Sequence, residues 1–301
     1  MVMGRLSGKI VTNRQVKLFI FAENVTITRP MHNLPIYQVD AFTQKMFSGN
    51  PAAVVPMPTF LKDSVMQAIA AENNLSETAF VVVRGPGEFA IRWFTPTAEV
   101  RLCGHATLAA AHVLHRSSEG RLSKMHFDTT GAGRLTVRVL EAGKYQLDFP
   151  ADRPKKLRKS NLVRDILGVR KLEAMYEGQD DLLVILKSQK QIEKLTPDFS
   201  RMAELTNYRG VLVSAPGRKH DFVSRCFFPQ TGIDEDPVTG SAHTLLAPYW
   251  ASRLGKRKLR ARQLSERGGN LSCQLKGKRV RLTGRAVTYL SGQIHLDKLD
   301  L

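Results

Sequence analysis

The feature that most constrains this chain is a pattern that occurs twice. Arg92-Trp93-Phe94-Thr95-Pro96, followed by Leu102-Cys103-Gly104-His105-Ala106-Thr107-Leu108-Ala109, is answered by Arg225-Cys226-Phe227-Phe228-Pro229, followed by Asp236-Pro237-Val238-Thr239-Gly240-Ser241-Ala242-His243. Arg92 and Arg225 are 133 positions apart and Gly104 and Gly240 are 136 apart, so the second copy carries three extra residues between its two parts. Each copy reads as an apolar strand, a Pro-marked loop, then a Gly turn opening a helix of small residues. Two such helix starts set face to face would offer unbonded N–H groups to a shared anion.

The repeat extends upstream. Ala70 and Asn74, in a helical stretch over 61–74, recur as Ala203 and Asn207 in a helix over 199–206. Strand residues 78–81 recur as 211–214, and 89–95 as 222–228. One position breaks the symmetry: Glu77 falls on Gly210. A carboxylate present in one half and absent from the other is not required by the fold, which makes it a functional candidate. Elsewhere, residues 34–40 alternate like a strand, 47–51 form a turn, and 106–115 form an Ala-rich helix that other elements should enclose tightly. Pro248 should kink or shorten the second of the paired helices. A Pro- and Lys-rich linker is expected over 149–160, and the tail 288–301 reads as a last strand. The fold class is mixed α/β with a duplicated domain. It is not doubly wound, because there is no G-x-G-x-x-G after a strand, no Walker A sequence and no strict βα alternation.

Charge admits a different kind of reading. The net charge is +18, and residues 251–285 hold twelve Lys or Arg against the single Glu266. Nucleic acid is one candidate partner. A solvated face is favoured, because Arg279-Val280-Arg281-Leu282 alternates basic and apolar residues and no RNA-binding motif accompanies it. Such a surface could still steer an anionic substrate. Cys103, Cys226 and Cys273 are too few and too scattered for a disulfide scaffold or a zinc site, and fit a reducing cytoplasm. Residues 1–30 look foreign to the rest, with five basic residues against Glu23. Their apolar run, 18–22, is too short for a signal peptide, and no later segment is long enough to span a membrane. They are expected to be an N-terminal extension before a functional start at Met31, or else a regulatory arm.

The candidate chemistry gathers around the repeated turns. Abstracting a C–H proton needs a carboxylate held out of bulk water, and Glu77 in Asn74-Leu75-Ser76-Glu77-Thr78 is placed to serve. It could equally be a turn Glu. His105 could act as a general acid or hold a substrate oxygen, or could simply pack in the core. Cys103 is a possible thiol nucleophile or base at a helix start, or a small buried apolar residue. At the 133-residue offset its counterpart is Asp236, whose charge would also suit a helix start. Ser241 reads as an N-cap or first-turn residue, and His243 as structural. Gly104 and Gly240, with their adjacent amides and Ser76, form the expected carboxylate cradle. No metal-ligand cluster is evident.

At these residues the sequence resembles the phenazine-biosynthesis isomerase-like (PhzF-like) family, within the diaminopimelate-epimerase-like fold. The matching stretches are Val39-Asp40-Ala41-Phe42, Ser48-Gly49-Asn50-Pro51-Ala52, Asn74-Leu75-Ser76-Glu77-Thr78, Arg92-Trp93-Phe94-Thr95-Pro96, Cys103-Gly104-His105-Ala106-Thr107 and Asp236-Pro237-Val238-Thr239-Gly240-Ser241-Ala242. The resemblance implies two pseudo-symmetric domains, each a mixed β-sheet rolled around a central helix, with the site in the cleft between them. It places the first domain over 31–150 and 288–301 and the second over 151–287. It also implies a homodimeric isomerase without a cofactor. The family's catalytic Glu falls on Glu77, and its assisting His, Asp and Ser on His105, Asp236 and Ser241. Related epimerases use two facing cysteines, whereas here Cys103 stands without a second thiol. Arg101 sits where many relatives have an acidic or apolar residue, which would alter substrate choice.

Three readings follow. The first is an isomerase of a small carboxylated metabolite, using Glu77 as acid and base. The second is an amino-acid racemase or epimerase with Glu77 and Cys103 or Asp236 as opposed bases. The third is a non-enzymatic module whose basic face binds RNA or an acidic protein.

Overall fold

The computed structural model describes residues 33–296. The expectations for the extension 1–30 and for the last residues of the tail lie outside this range.

The first half runs β1 (Asn33–Ala41), β2 (Asn50–Met57), α1 (Asp63–Asn73), β3 (Glu77–Gly85), β4 (Glu88–Phe94), β5 (Glu99–Val100), α2 (Gly104–Ser117), β6 (Lys124–Thr129), β7 (Arg134–Leu140) and β8 (Lys144–Pro150). The second runs β9 (Lys155–Leu157), α3 (Asn161–Ile166), β10 (Ala174–Glu177), β11 (Asp181–Ile185), α4 (Gln189–Glu193), α5 (Phe199–Ala203), β12 (Gly210–Pro216), β13 (Phe222–Phe227), α6 (His243–Leu254), β14 (Lys258–Gln263), β15 (Gly269–Lys276), β16 (Arg279–Gly284) and β17 (Ala286–His295).

Strand pairing repeats as closely as the sequence does. In the first half β2 and β3 are parallel and β3 and β4 antiparallel, with Thr78 opposite Phe94 and Ala79 opposite Trp93. In the second, β11 and β12 are parallel and β12 and β13 antiparallel, with Val211 opposite Phe227 and Leu212 opposite Cys226. One strand then crosses from the end of the second run to the first half. The stretch expected to be a plain linker carries β9, which pairs with β10, while β17 returns to pair with β1. β8 pairs with β16 and joins the halves into one mixed sheet system.

α2 is the central helix of the first half. Every residue from Gly104 to Leu114 is buried, and β1, β2, β3, β7, β8 and β17 all touch it. Its run of alanines permits this, since larger side chains would hold so many strands away. α6 packs against β14, β15 and β16, and a continuous apolar core joins the two helices. α1 covers the outer face of the first half, and α3, α4 and α5 that of the second.

α6 runs unbroken through Pro248, contrary to the expected shortening. A proline leaves the carbonyl four residues earlier without its helical donor. That carbonyl, Thr244 O, instead accepts from Asp152 N at 3.1 Å, so the segment between β8 and β9 offsets the proline's cost. In the basic region, the exposed Lys258, Arg260 and Arg262 of β14 alternate with the buried Leu259, Ala261 and Gln263.

Two buried histidines make the fold sensitive to acid. In α2, His112 meets Tyr145 Oη at 3.1 Å and Thr288 Oγ1 at 3.0 Å. His243 must donate from Nδ1 to Thr239 O, at 2.8 Å, because a carbonyl only accepts. Burial lowers both to a pKa of about 4, helped at His112 by Arg116 and His115. Both values lie below that of an unfolded histidine, so the unfolded chain binds more protons between pH ~6.5 and ~4. Stability is therefore full above that window and falls through it, by up to roughly 3 kcal/mol per histidine. Urea midpoints measured from pH 7 to 4.5 should fall steeply in the native chain and less steeply in His112→Gln. Parallel curves would show that His112 charges freely in the fold.

Candidate active site

Glu77 opens β3 immediately after the loop that ends α1. That helix stops at Asn74, whose left-handed backbone (φ 47°, ψ 40°) lets its N–H reach Ala70 O and Ala71 O. Asn73 Nδ2 donates to Thr78 Oγ1 at 3.1 Å and ties the loop to the strand. The parallel register sets Glu77 beside Ala52, whose small side chain leaves the carboxylate room. Glu77 Oε2 lies 3.0 Å from His105 Nε2, with side-chain exposures of 15% and 5%. The two atoms face each other as a charge pair without an aligned hydrogen bond, and neither has another partner among the described residues. Half-buried Ser76 precedes them.

The other imidazole nitrogen, Nδ1, lies 3.4 Å from Cys103 Sγ and 3.2 Å from Asn50 Nδ2. Asn50 reaches Asp236 Oδ1 at 2.8 Å and Val238 O at 3.0 Å, which uses both its amide protons. Nδ1 therefore shares a proton only with Cys103. Burial disfavours a charged His105, but Cys103 and Glu77 outweigh it and raise its pKa well above the ordinary value. Cys103 itself is pushed up by burial and by the charge of Glu77, against the lowering by His105. Glu77, Cys103 and His105 place ligand atoms within 4.8 Å of one another, the one such group among the described residues.

Asp236 comes from the second half. Its Oδ2 accepts from the Thr239 hydroxyl, and its backbone carbonyl accepts from Gln263 Nε2 at 2.7 Å. Burial raises its pKa, and Glu77 adds to the rise against the lowering by His105 and its hydrogen bonds. Asn50, Thr239 and Gln263 thus belong to the site although the sequence reading did not select them. Gln263 did leave a signal, as a polar residue at an inward position of the alternating strand β14.

Gly104 and Gly240 bring the two helix starts together. A Cβ on Gly104 would stand 3.5 Å from Gly240 Cα, and one on Gly240 3.4 Å from Gly104 Cα. Neither α2 nor α6 has a side-chain N-cap. The first amides of α6 are already used, His243 N by Gly240 O at 3.1 Å and Thr244 N by Ser241 O at 2.9 Å, so the amides left to a ligand are those of Gly240 and Ser241 just before it and of Gly104 at the start of α2. Ser241 does not cap α6, contrary to expectation: the helix begins at His243, and Ser241 Oγ accepts from Arg209 Nη2 at 3.3 Å. Because Gly104 meets Gly240, the residue matching Cys103 in the folded repeat is Thr239, and Asp236 lies three residues earlier. His243 is structural, as expected. It is fully buried and anchors the Thr239 carbonyl.

Comparison with known proteins defines the class. A family model described as phenazine biosynthesis-like protein matches residues 39–292. An uncharacterized isomerase of Pseudomonas aeruginosa is 49% identical over 263 residues, covering 87% of this chain and 99% of the relative. The crystal structure of a PhzF-family phenazine biosynthesis protein from Enterococcus faecalis superposes with a TM-score of 0.84 at 45% identity, covering 88% and 100% of the two chains. A hydroxyproline epimerase from Agrobacterium vitis shares the fold, with a TM-score of 0.60 at 10% identity over 90% of this chain and 94% of its own. The chain belongs to the phenazine biosynthesis-like (PhzF) family. Among the described residues no helix is long and apolar enough to cross a membrane.

Proposed function

We propose that the protein is a cofactor-independent isomerase that moves a proton on a small carboxylated metabolite. The reading rests on one observation: Glu77 and His105 face each other 3.0 Å apart, beside two helix starts without side-chain caps that touch through glycine. The amides of Gly104, Gly240 and Ser241 hold the substrate carboxylate. Glu77 takes a proton from carbon, and the electron pair passes into the conjugated acid. His105 stabilises the negative charge as it moves from Glu77 to the substrate. Glu77 then returns the proton to another carbon on the same face. The balance closes without a co-reactant. Asp236, cradled by Asn50 and Thr239, supports the charge of His105 from the second half.

A single base is favoured over the pair Glu77 and Cys103, because both sit against the same imidazole, at its two nitrogens, with their polar atoms within 4.8 Å of one another. Asp236, the other candidate for a second base, is already engaged by Asn50 and Thr239. The test is to incubate small unsaturated and amino acids with the protein in heavy water and follow deuterium uptake. Uptake confined to one face of an unsaturated acid supports the isomerase. Racemisation of an amino acid would replace it with the two-base reading.

The protein is further proposed to act as a homodimer. Met46, Phe47, Tyr289 and Leu290 form an exposed apolar patch, with Phe47 67% exposed and its ring 5.5 Å from that of Tyr289. An apolar cluster along a surface strand marks an interface. Sedimentation should give a dimer for the native chain and a shift to monomer for Leu290→Lys. A native monomer, or an unshifted variant, would refute this interface.

A further inference from the structure

Glu77 and its neighbour Ser76 have counterparts in the second half, Gly210 and Arg209. A side chain at Gly210 would overlap the Phe228 ring and the Phe227 carbonyl, so the fold forbids a second Glu there. The carboxylate of that half comes from the next strand. Asp181 is in register with Gly210, as Ala52 is with Glu77. Arg209 occupies Asp181 with one edge of its guanidinium, Nε to Oδ1 at 3.0 Å and Nη2 to Oδ2 at 2.6 Å. The group lies over the Phe228 ring, 5.3 Å from its centroid. The remaining Nη2 proton goes to Ser241 Oγ at 3.3 Å. Nη1 has no acceptor among the described residues, and the side chain is 38% exposed. Where the first half carries Glu77, the second half therefore carries a clamped guanidinium with a free edge beside Ser241, next to the Gly240 turn that meets Gly104.

Resting on the isomerase reading, we infer that Arg209 is the specificity residue for the substrate carboxylate, acting together with Ser241. Nη1–H and the Ser241 hydroxyl donate to the carboxylate oxygens. Ser241 is free to donate because Arg209 already uses one of its lone pairs. Asp181 and Phe228 hold the guanidinium in one orientation, so binding does not have to order a flexible side chain. The amides of the helix starts also donate to neutral carbonyls, whereas the guanidinium edge selects for the charged acid. The ligand class is thus a small free acid and excludes its amide or ester.

The test uses benzoate and the neutral benzamide as probes, titrated calorimetrically into the full chain. The native protein should prefer benzoate. Arg209→Gln should weaken benzoate roughly ten- to hundred-fold, as expected for a lost charged hydrogen bond, and leave benzamide unchanged. Arg209→Gln strands the buried Asp181, so Asp181→Asn/Arg209→Gln serves as a second variant that removes the orphan charge. Arg209→Lys keeps the charge but not the fork and should fall between. Equal loss of both probes would indicate a structural role and overturn the inference, as would an unchanged benzoate preference in the double variant or no preference in the native chain. Glu77→Gln should retain the preference. Failure here thus leaves the proton-transfer reading to be judged by deuterium uptake alone.

Discussion

Glu77→Gln is expected to fold and bind small acids like the native chain and to lose proton transfer. The substitution keeps the shape of a side chain that is 15% exposed and removes the group that can carry the proton. Turnover, or deuterium uptake from heavy water, should fall by the ~10²–10⁴ that a general acid–base residue supplies. Binding to the helix starts should persist, because those amides do not depend on Glu77. The variant also removes the carboxylate that favours a charged His105. The imidazole should therefore titrate at lower pH in the variant, which NMR of its ring protons would record. Near-native uptake in Glu77→Gln would make the residue structural and move the search for the base to Asp236.

The second large effect is expected at Asn50, which is fully buried. Its amide group spans the halves and donates to Asp236 and to the Val238 carbonyl. Asn50→Leu keeps the volume but leaves a buried carboxylate and a buried carbonyl each short of a donor. A hydrogen bond to a charged group contributes about 1.5–3 kcal/mol, and an orphaned neutral acceptor costs about 1–3 kcal/mol. Together the loss should be about 3–5 kcal/mol, large against a total stability of roughly 5–15 kcal/mol. A urea midpoint near the native value would mean that water replaces both donors. Asp236 Oδ2, still held by Thr239, should keep the loop in place, so folded protein should remain measurable.

Much of the architecture was legible because duplication writes the same local rules twice. The 133-residue offset from strand to strand is also the register of the folded sheets, with Thr78–Phe94 and Val211–Phe227 as matching pairs. The Ala-rich stretch predicted a helix enclosed by other elements, and α2 is buried from Gly104 to Leu114. Glu77 was picked out by the one asymmetry that sequence alone can show, its replacement by Gly210.

Contacts between distant segments were decided by tertiary structure. Asn50 looked like part of a turn, because its partner Asp236 lies 186 residues away and no local periodicity reports such a distance. The pairing of β17 with β1 depends on which sheet edge is left unpaired, and an alternating strand reads the same on either edge. Sequence alone assigned Pro248 a kink or a shortening of α6, since the donor that rescues Thr244 O comes from Asp152, far back in the chain. It assigned Ser241 to a helix cap, whereas Arg209 holds that hydroxyl once the strands bring the two together. By itself the sequence determined the repeated strands and helices, the two helix starts and the unmatched carboxylate, all consequences of local pattern. The imidazole that faces that carboxylate, the Asn50–Asp236 link behind it, and the Arg209–Asp181 pair beside Ser241 were decided only when folding closed the loops between residues far apart in the chain.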